Sequence, residues 1–320
     1  MLPEAITAAA LRGEYGHATL GKALADLSKW RIGGPCALVV EPASADQVRR
    51  FLHHADETQA RFIVVGSGSN LLFSDEGFAG ACLRIGERLS GIEIDGPMVT
   101  ADAGAWVPRL ARLAGRNGLT GFEHLVGVPG SVGGLITMNG GSQRRTVSEQ
   151  LVSVESVGRA GDIVVRERDE CQFGYRSSIF RSANEVILSA RFSLPPRDKT
   201  AIRQEMLATL RNRRRKFPLK LPNCGSVFVS NPALHAAVGP PGMAIEQAGL
   251  KGLAIGGAQV SERHANFFVN TGGATSRDMR QLIHQVQQVV LRSTGFLMRT
   301  EVLFVNSEGD VIPADEAGTD

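Results

Sequence analysis

Cysteine is scarce in this chain: Cys36, Cys82, Cys171 and Cys224 lie far apart and form no C-x-x-C pair. That spacing supports neither a thiolate zinc site nor a redox dithiol, and it points to a reducing, cytoplasmic compartment. The seven histidines are scattered without metal-ligand spacing, so no metal is expected. A long apolar run is also missing. The longest stretch free of charged residues and histidine, 125–143, is interrupted by Gly127, Pro129, Gly130, Gly133 and Gly134, which makes it a poor membrane helix and a good ligand-binding loop. The first thirteen residues lack the basic stretch and apolar core of a signal peptide, so no membrane association is expected. Charge of one sign is absent too. The 35 basic and 32 acidic residues leave a net +3 and are interspersed apart from one short run, which favours a small-molecule enzyme over a nucleic-acid binder.

What is present is a soluble globular composition, 43% hydrophobic and 21% charged, in 320 residues, enough for two or three packed lobes. In the first half helical and strand patterns alternate. Ser44 to Gln47 resembles a capping box, after which Val48, Phe51, Leu52 and Ala55 recur at helical spacing. The run Arg61-Phe-Ile-Val-Val65 predicts a buried strand, and Trp106, Leu110 and Leu113 mark a helix that Gly118 closes. Strands are expected over 151–157, 162–165 and 185–188, with a hairpin turn at 158–161 between the first two. Pro195-Pro196 breaks the pattern and reads as a domain boundary. Beyond it come helices over 202–216 and 276–293, the latter with an apolar stripe of Met279, Leu282, Ile283, Val286, Val289 and Val290. The fold class expected is α+β, with a domain over 1–198, divided into two lobes near residue 90, and a smaller one over 199–320.

Two loops carry the first functional signal. Val64-Val-Gly-Ser-Gly-Ser-Asn70 ends a strand in a reversal of small residues, which suits a phosphate or pyrophosphate, although an ordinary tight turn has the same look. It is not a Rossmann fingerprint, because Leu71 occupies the third glycine position. The second loop, with its continuation, packs six glycines into 127–141. Glycine is costly to order, so this density suggests backbone lying close to a ligand. Two such loops facing one extended diphosphate suggest a dinucleotide, and FAD rather than a nicotinamide cofactor on a Rossmann sheet.

The order Trp30-Arg-Ile-Gly-Gly34, Val65-Gly-Ser-Gly-Ser-Asn-Leu-Leu72 and Gly127-Val-Pro-Gly-Ser-Val-Gly-Gly134 resembles the FAD-binding half of the UDP-N-acetylenolpyruvoylglucosamine reductases, the MurB family. More loosely it resembles the wider vanillyl-alcohol-oxidase-like fold. The resemblance implies that Gly66, Ser67, Gly68, Ser69, Asn70 and Leu71 carry the FAD pyrophosphate. Gly127, Pro129, Gly130, Ser131, Gly133 and Gly134 would lie along the flavin. Three later segments are similar to the family's in the same order. Phe173-Gly-Tyr-Arg-Ser-Ser-Ile-Phe180 places Arg176, Pro222-Asn-Cys-Gly-Ser-Val-Phe228 places Ser226, and Met298-Arg-Thr-Glu-Val302 places Glu301 as catalytic residues. Tyr175 and Lys216 are the implied substrate contacts. A C-terminal substrate-binding domain, NADPH as reductant and a UDP-sugar enolpyruvyl ether as substrate complete the implied picture, on a monomer or weak oligomer.

The residue types suit that chemistry. Hydride delivery to the terminal carbon of an enolpyruvyl ether leaves negative charge on the neighbouring carbon and its carboxylate. A guanidinium such as Arg176 stabilises this charge bidentately, a protonated Glu301 adds a second donor, and Ser226 gives its proton to the carbanion. Each residue alone has a bland reading, as a surface arginine, a turn serine or an exposed glutamate; their joint order carries the assignment. The basic run Arg211, Arg213, Arg214, Arg215 and Lys216 suits a helix C-terminus, with only Lys216 given a substrate role. His264 is read as structural, and Cys224 needs no redox role. One segment departs from the family: Asn139-Gly-Gly-Ser-Gln143 followed by Arg144-Arg145 lacks a usual tyrosine. It keeps open a paralogue acting on another unsaturated sugar nucleotide. Retention of all three catalytic types speaks against an oxidase or a non-catalytic nucleotide-binding protein.

Overall fold

The computed structural model describes residues 2–318. Among these described residues the chain forms two compact units, and it changes unit several times. The first takes the residues up to Leu20, then Leu38–Ser67 and Gly80–Arg213; the second takes Gly21–Ala37, Gly68–Ala79 and the chain from Arg214 onward. Helices and strands mix in both, as the α+β expectation requires.

In the first unit the helix Ala45–Glu57 starts where the sequence places it. The Ser44 side chain accepts from the Gln47 amide at 3.3 Å, and Val48, Phe51, Leu52 and Ala55 are buried. The return arm differs, since the Gln47 carboxamide oxygen takes the Ala43 amide at 2.7 Å instead of that of Ser44. Strand Phe62–Val65 follows and runs parallel to Phe78–Arg84 in a four-stranded sheet. The expected buried strand is buried on one face only: Ile63 and Val65 point inward while Val64 is 43% exposed. The expected strands 151–157, 162–165 and 185–188 appear as Leu151–Gly158, Ile163–Glu167 and Glu185–Ser193. They join Met98–Asp102 and Ile92–Asp95 in a five-stranded antiparallel sheet, and the 158–161 hairpin turn closes with Gly158 N–H donating to the Asp162 carbonyl.

The helix Val107–Arg116 also forms, and Gly118, at φ +76°, ends it. Its buried face corrects the expectation. Val107, Leu110, Ala111 and Ala114 enter the core, whereas Trp106 stays 46% exposed and Leu113 half-buried. The proline pair lies along this helix's exit: the Thr120 amide donates to the Pro195 carbonyl, and the Arg197 amide to that of Gly118. The helix Lys199–Lys216 then packs Met206 and Ile202 over Gly115, where a Cβ would lie 2.8 Å from the Met206 methyl and 3.0 Å from Ile202. The chain thus stays in the first unit as far as Arg213.

The second unit is built on the helix Ser276–Thr294. Thr275 and Asp278 form a reciprocal capping box, the Asp75 carboxylate accepts from the Ser276 amide and hydroxyl, and Gly295 closes the helix in the left-handed region. Met279, Leu282, Ile283, Val286 and Val290 of the expected stripe are buried among Trp30, Ile32, Leu72 and Phe268, with Val289 half-buried at the edge. Two three-stranded sheets flank this core. In one, Leu303–Val305 pairs antiparallel with Val311–Pro313 and parallel with Leu71–Phe73.

One buried group gives the first unit a measurable pH response. His124 is 1% exposed, and neither ring nitrogen has a hydrogen-bond partner among the described residues. Burial pushes its imidazole down to about 4, Arg145 acts in the same direction, and Glu149, Glu123 and the Gly121 backbone oppose more weakly. The folded chain therefore takes this proton less readily than the unfolded chain, whose histidine titrates near the ordinary 6.5. The stabilisation from holding the ring neutral is complete above that value and is lost as pH falls from there toward 4, a difference on the order of 3 kcal/mol. His124→Phe is expected to flatten the fall of melting temperature across that window. Parallel curves for the two proteins would refute the assignment.

Candidate active site

Arg176 sits in a two-residue reversal of the first unit. Gly174 and Ser177 exchange backbone hydrogen bonds at 3.0 and 3.3 Å, leaving Tyr175 and Arg176 at the tip. Arg176 adopts φ +54°, a conformation that costs a non-glycine residue about 1–2 kcal/mol and persists only where the surroundings enforce it. Here they do. The Asn139 carboxamide donates to the Gly174 carbonyl at 2.9 Å, and the Ser178 hydroxyl donates to Thr137 at 2.8 Å. Both anchors lie at the C-terminal end of the short helix Val132–Thr137, whose first turn carries Gly133 and Gly134. One element therefore links the second glycine loop to the Arg176 turn. The Arg176 side chain is half-buried, with its guanidinium 5.5 Å from the centre of the Tyr175 ring, and Tyr175 is 61% exposed.

Ser226 and Glu301 lie in the second unit on neighbouring backbone. The Glu301 amide donates to the Val227 carbonyl at 2.8 Å, Val229 donates to Arg299 at 3.0 Å, and Ser226 bridges to Phe267 on its other side. Asn266 holds this frame. Its carboxamide accepts from the Phe228 amide and donates to the Phe228 carbonyl, both at 2.9 Å, satisfying both polar groups of a buried residue. Ser226 and Glu301 are themselves half-buried. Sequence reasoning gave no role to Asn266 or Asn139, although Asn139 lies in a segment it quoted. A polar residue among apolar ones was the available signal.

The first glycine loop divides between the units, with Gly66 and Ser67 in one and Gly68 to Leu71 in the other. Within the second unit it is tied to the Ser226–Glu301 frame. The Asn70 carboxamide donates to the Glu301 carbonyl at 2.9 Å, the Leu303 amide to that of Asn70, and the Cys224 thiol to Gly68 at 3.6 Å. Burial pushes the Cys224 thiol up to about 12, which suits a structural thiol. Several glycines have internal reasons. A Cβ on Gly68 would stand 1.8 Å from the Leu27 carbonyl oxygen, and one on Gly127 would stand 2.6 Å from the Arg213 side chain. Others leave backbone bare toward solvent. Gly134 and Pro129 are exposed, the only contact a Cβ on Gly134 would make is Ser131 Oγ at 3.5 Å, and Ser131 Oγ comes within 2.3 Å of a Cβ built on Gly66. Exposed glycine backbone at Gly134, beside the Ser131 hydroxyl, fits a diphosphate-bearing cofactor such as FAD.

Lys216 is exposed at the end of its helix, and Arg263 caps the neighbouring Arg214 and Arg215 carbonyls at 2.8 and 3.0 Å. His264 packs against Phe217 and Phe267, and burial lowers its pKa, with Lys251 next in effect, in keeping with a structural ring. The divergent segment forms a tight hairpin, Gly141–Ser142 against Arg145–Thr146, with Gln143 and Arg144 both at positive φ. Gln143 donates to Thr209, and Arg145 to Glu149 and the Gly121 carbonyl, while Arg144 is exposed at the tip. Among the described residues no three His, Cys, Asp or Glu side chains gather as a metal site, and no helix is long and apolar enough to cross a membrane.

Comparison with known proteins decides the family. The profile of the UDP-N-acetylenolpyruvoylglucosamine reductase C-terminal domain matches residues 217–305, and that of an FAD binding domain matches residues 36–166. UDP-N-acetylenolpyruvoylglucosamine reductase 1 of Corynebacterium glutamicum is 42% identical over 96% of this chain and 92% of its own length. The chain belongs to the UDP-N-acetylenolpyruvoylglucosamine reductase family. The reductase of a Synechococcus strain is 43% identical over 87% of this chain and 90% of its own. The crystal structure of the MurB reductase from Thermus caldophilus superposes with a TM-score of 0.76 at 30% identity, covering 90% of this chain and 98% of that one. As a MurB-family member the chain is an oxidoreductase with FAD as its cofactor.

Proposed function

We propose that this chain reduces the enolpyruvyl ether of UDP-N-acetylglucosamine enolpyruvate to UDP-N-acetylmuramate, in the cytoplasm, with NADPH as reductant and as a monomer or weak oligomer. The carrying observation is the hydrogen-bonded frame that sets Ser226 and Glu301 side by side through Val227, with loop residue Asn70 bonded to the same segment. FAD, when bound, supplies the hydride that NADPH provides. Gly66 to Leu71 and the Gly127 to Gly134 loop would hold it by backbone and serine hydroxyls.

Arg176 pairs with the substrate carboxylate and stabilises the charge that spreads into it once the terminal carbon has accepted hydride. Its enforced turn means little reorganisation is needed at the moment of reaction. Glu301 offers a second hydrogen bond to that carboxylate. The Ser226 Oγ–H bond breaks as its proton passes to the substituted carbon, completing addition of H⁻ and H⁺ across the double bond; serine regains its proton from solvent before the next turnover. Tyr175 and Lys216 contact the sugar nucleotide, Lys216 through its diphosphate. In this reading 1–198 carries the cofactor role and 199–320 the substrate role, although 21–37 and 68–79 pack within the second compact unit and 199–213 within the first.

The test is anaerobic stopped-flow spectroscopy. NADPH is expected to bleach the flavin, and UDP-N-acetylglucosamine enolpyruvate to restore its absorbance with UDP-N-acetylmuramate formed. Bleaching without restoration would instead favour the second reading, a paralogue acting on another unsaturated sugar nucleotide, for which the hairpin with Gln143 and Arg144 at positive φ is the specific observation.

A further inference from the structure

Trp106 is out of place for its residue type. Tryptophan is the largest apolar side chain and is seldom left open to water without a partner surface. The other tryptophan, Trp30, is fully buried and donates its indole N–H to the Phe268 carbonyl at 2.8 Å. Trp106 is 46% exposed, although the helix it precedes buries Val107, Leu110, Ala111 and Ala114. The helix thus has a buried apolar face, and the Trp106 ring lies outside it.

Its position in the backbone gives the exposure a direction. Trp106 forms an antiparallel bridge with Ser131, framed by hydrogen bonds from the Val107 amide to the Gly130 carbonyl at 3.0 Å and from the Val132 amide to the Ala105 carbonyl at 2.9 Å. Residues directly opposed in an antiparallel pair project to the same side. Ser131 projects toward Gly66, with its Oγ 2.3 Å from where a Cβ on that glycine would be. The Trp106 ring thus rises on the side where the two glycine-rich loops meet. The Arg112 guanidinium stands 5.4 Å from the ring centre, which steadies one face of the indole, and nearly half of the side chain stays open to a second flat ring.

We propose that Trp106 is a cofactor-binding residue: its exposed indole is the surface on which one of the planar rings of FAD stacks. This rests on the reading that the Gly127 to Gly134 loop holds FAD. Both the adenine and the flavin ring have the required chemistry, a flat aromatic system next to a diphosphate, and the experiment separates them.

Flavin-free full-length protein is titrated with FAD and separately with FMN, following flavin absorbance, for the wild type, Trp106→Ala and Trp106→Phe. Trp106→Ala is expected to raise the Kd for FAD about tenfold, the scale of one base–aromatic stacking contact, and Trp106→Phe to recover most of that loss. If adenine is the stacked ring, Trp106→Ala leaves FMN binding unchanged; if the flavin ring is, FMN binding weakens in parallel. Melting curves of the flavin-free proteins check that the substitution at this exposed position leaves the fold intact. Wild-type affinity for FAD in Trp106→Ala overturns the proposal while leaving the loop assignment standing. A wild-type protein that takes up no flavin overturns both.

Discussion

Ser226→Ala is expected to leave flavin reduction by NADPH at its wild-type rate and to slow flavin reoxidation by UDP-N-acetylglucosamine enolpyruvate about a thousandfold, the usual scale for losing a positioned proton donor. The two half-reactions make this decisive. The first needs cofactor and NADPH sites, the second needs a proton at the substituted carbon. Ser226 is half-buried on backbone held from both sides by Phe267 and Glu301, so removing one hydroxyl leaves that frame in place. Ser226→Cys, which keeps an ionisable hydrogen at the same atom position, is expected to retain more of the second half-reaction than alanine does. Equal loss in both half-reactions would mean that Ser226 supports the architecture and donates no proton.

A second large effect concerns a single methyl group. Gly68→Ala would place a Cβ 1.8 Å from the Leu27 carbonyl oxygen and 2.8 Å from its carbon, at φ +59°. Both are backbone atoms, so no side-chain rotation relieves the contact. The Gly68 carbonyl also accepts from the Lys29 amide and the Cys224 thiol, which tie that backbone in place. The expected loss is on the order of 4 kcal/mol, or roughly 10 °C in melting temperature for a unit of this size. Gly249→Ala is the control. It has the same left-handed character at φ +72° but nothing within 4 Å, so only the conformational cost of about 1 kcal/mol applies. Similar melting temperatures for the two variants would show that the close approach at Gly68 relaxes cheaply.

These two positions also mark how much the sequence discloses. Gly68 stands out in any reading as part of a glycine-serine loop, yet the sequence assigns its purpose to a ligand, whereas the nearest reason is a carbonyl forty-one residues earlier. Long periodic elements were legible because their spacing is a local property. The stripe of Ser276–Thr294 and the cap at Ser44 could be read directly. The exposure of Val64 and Trp106 could not, since it depends on what packs opposite, and a run of apolar letters looks the same with one face covered or both. The trio Arg176, Ser226 and Glu301 was assigned by order and resemblance. The groups that fix their backbones, Asn139 and Asn266, act across tens of residues through carboxamide hydrogen bonds that leave no periodic trace. Nothing in 21–37 or 68–79 marks either stretch as belonging with the C-terminal residues.

That interleaving sets the order of assembly at the ribosome. Trp30 donates to the carbonyl of Phe268, the Asn270 carboxamide donates to the carbonyl of Trp30, and Leu71–Phe73 waits for Leu303–Val305 as its parallel partner. More than two hundred residues must be synthesised between the halves of each pair, so the second core has a high contact order and pays its loop-closure entropy late. The first unit has all its residues by Arg213 and can gather its sheets while the tail is still emerging. Until then Trp30, Ile32 and Leu72 remain uncovered on the nascent chain, a window in which chaperone engagement competes with aggregation. The residues from 214 onward, expressed alone, would lack the tryptophan and leucine at the centre of their own core.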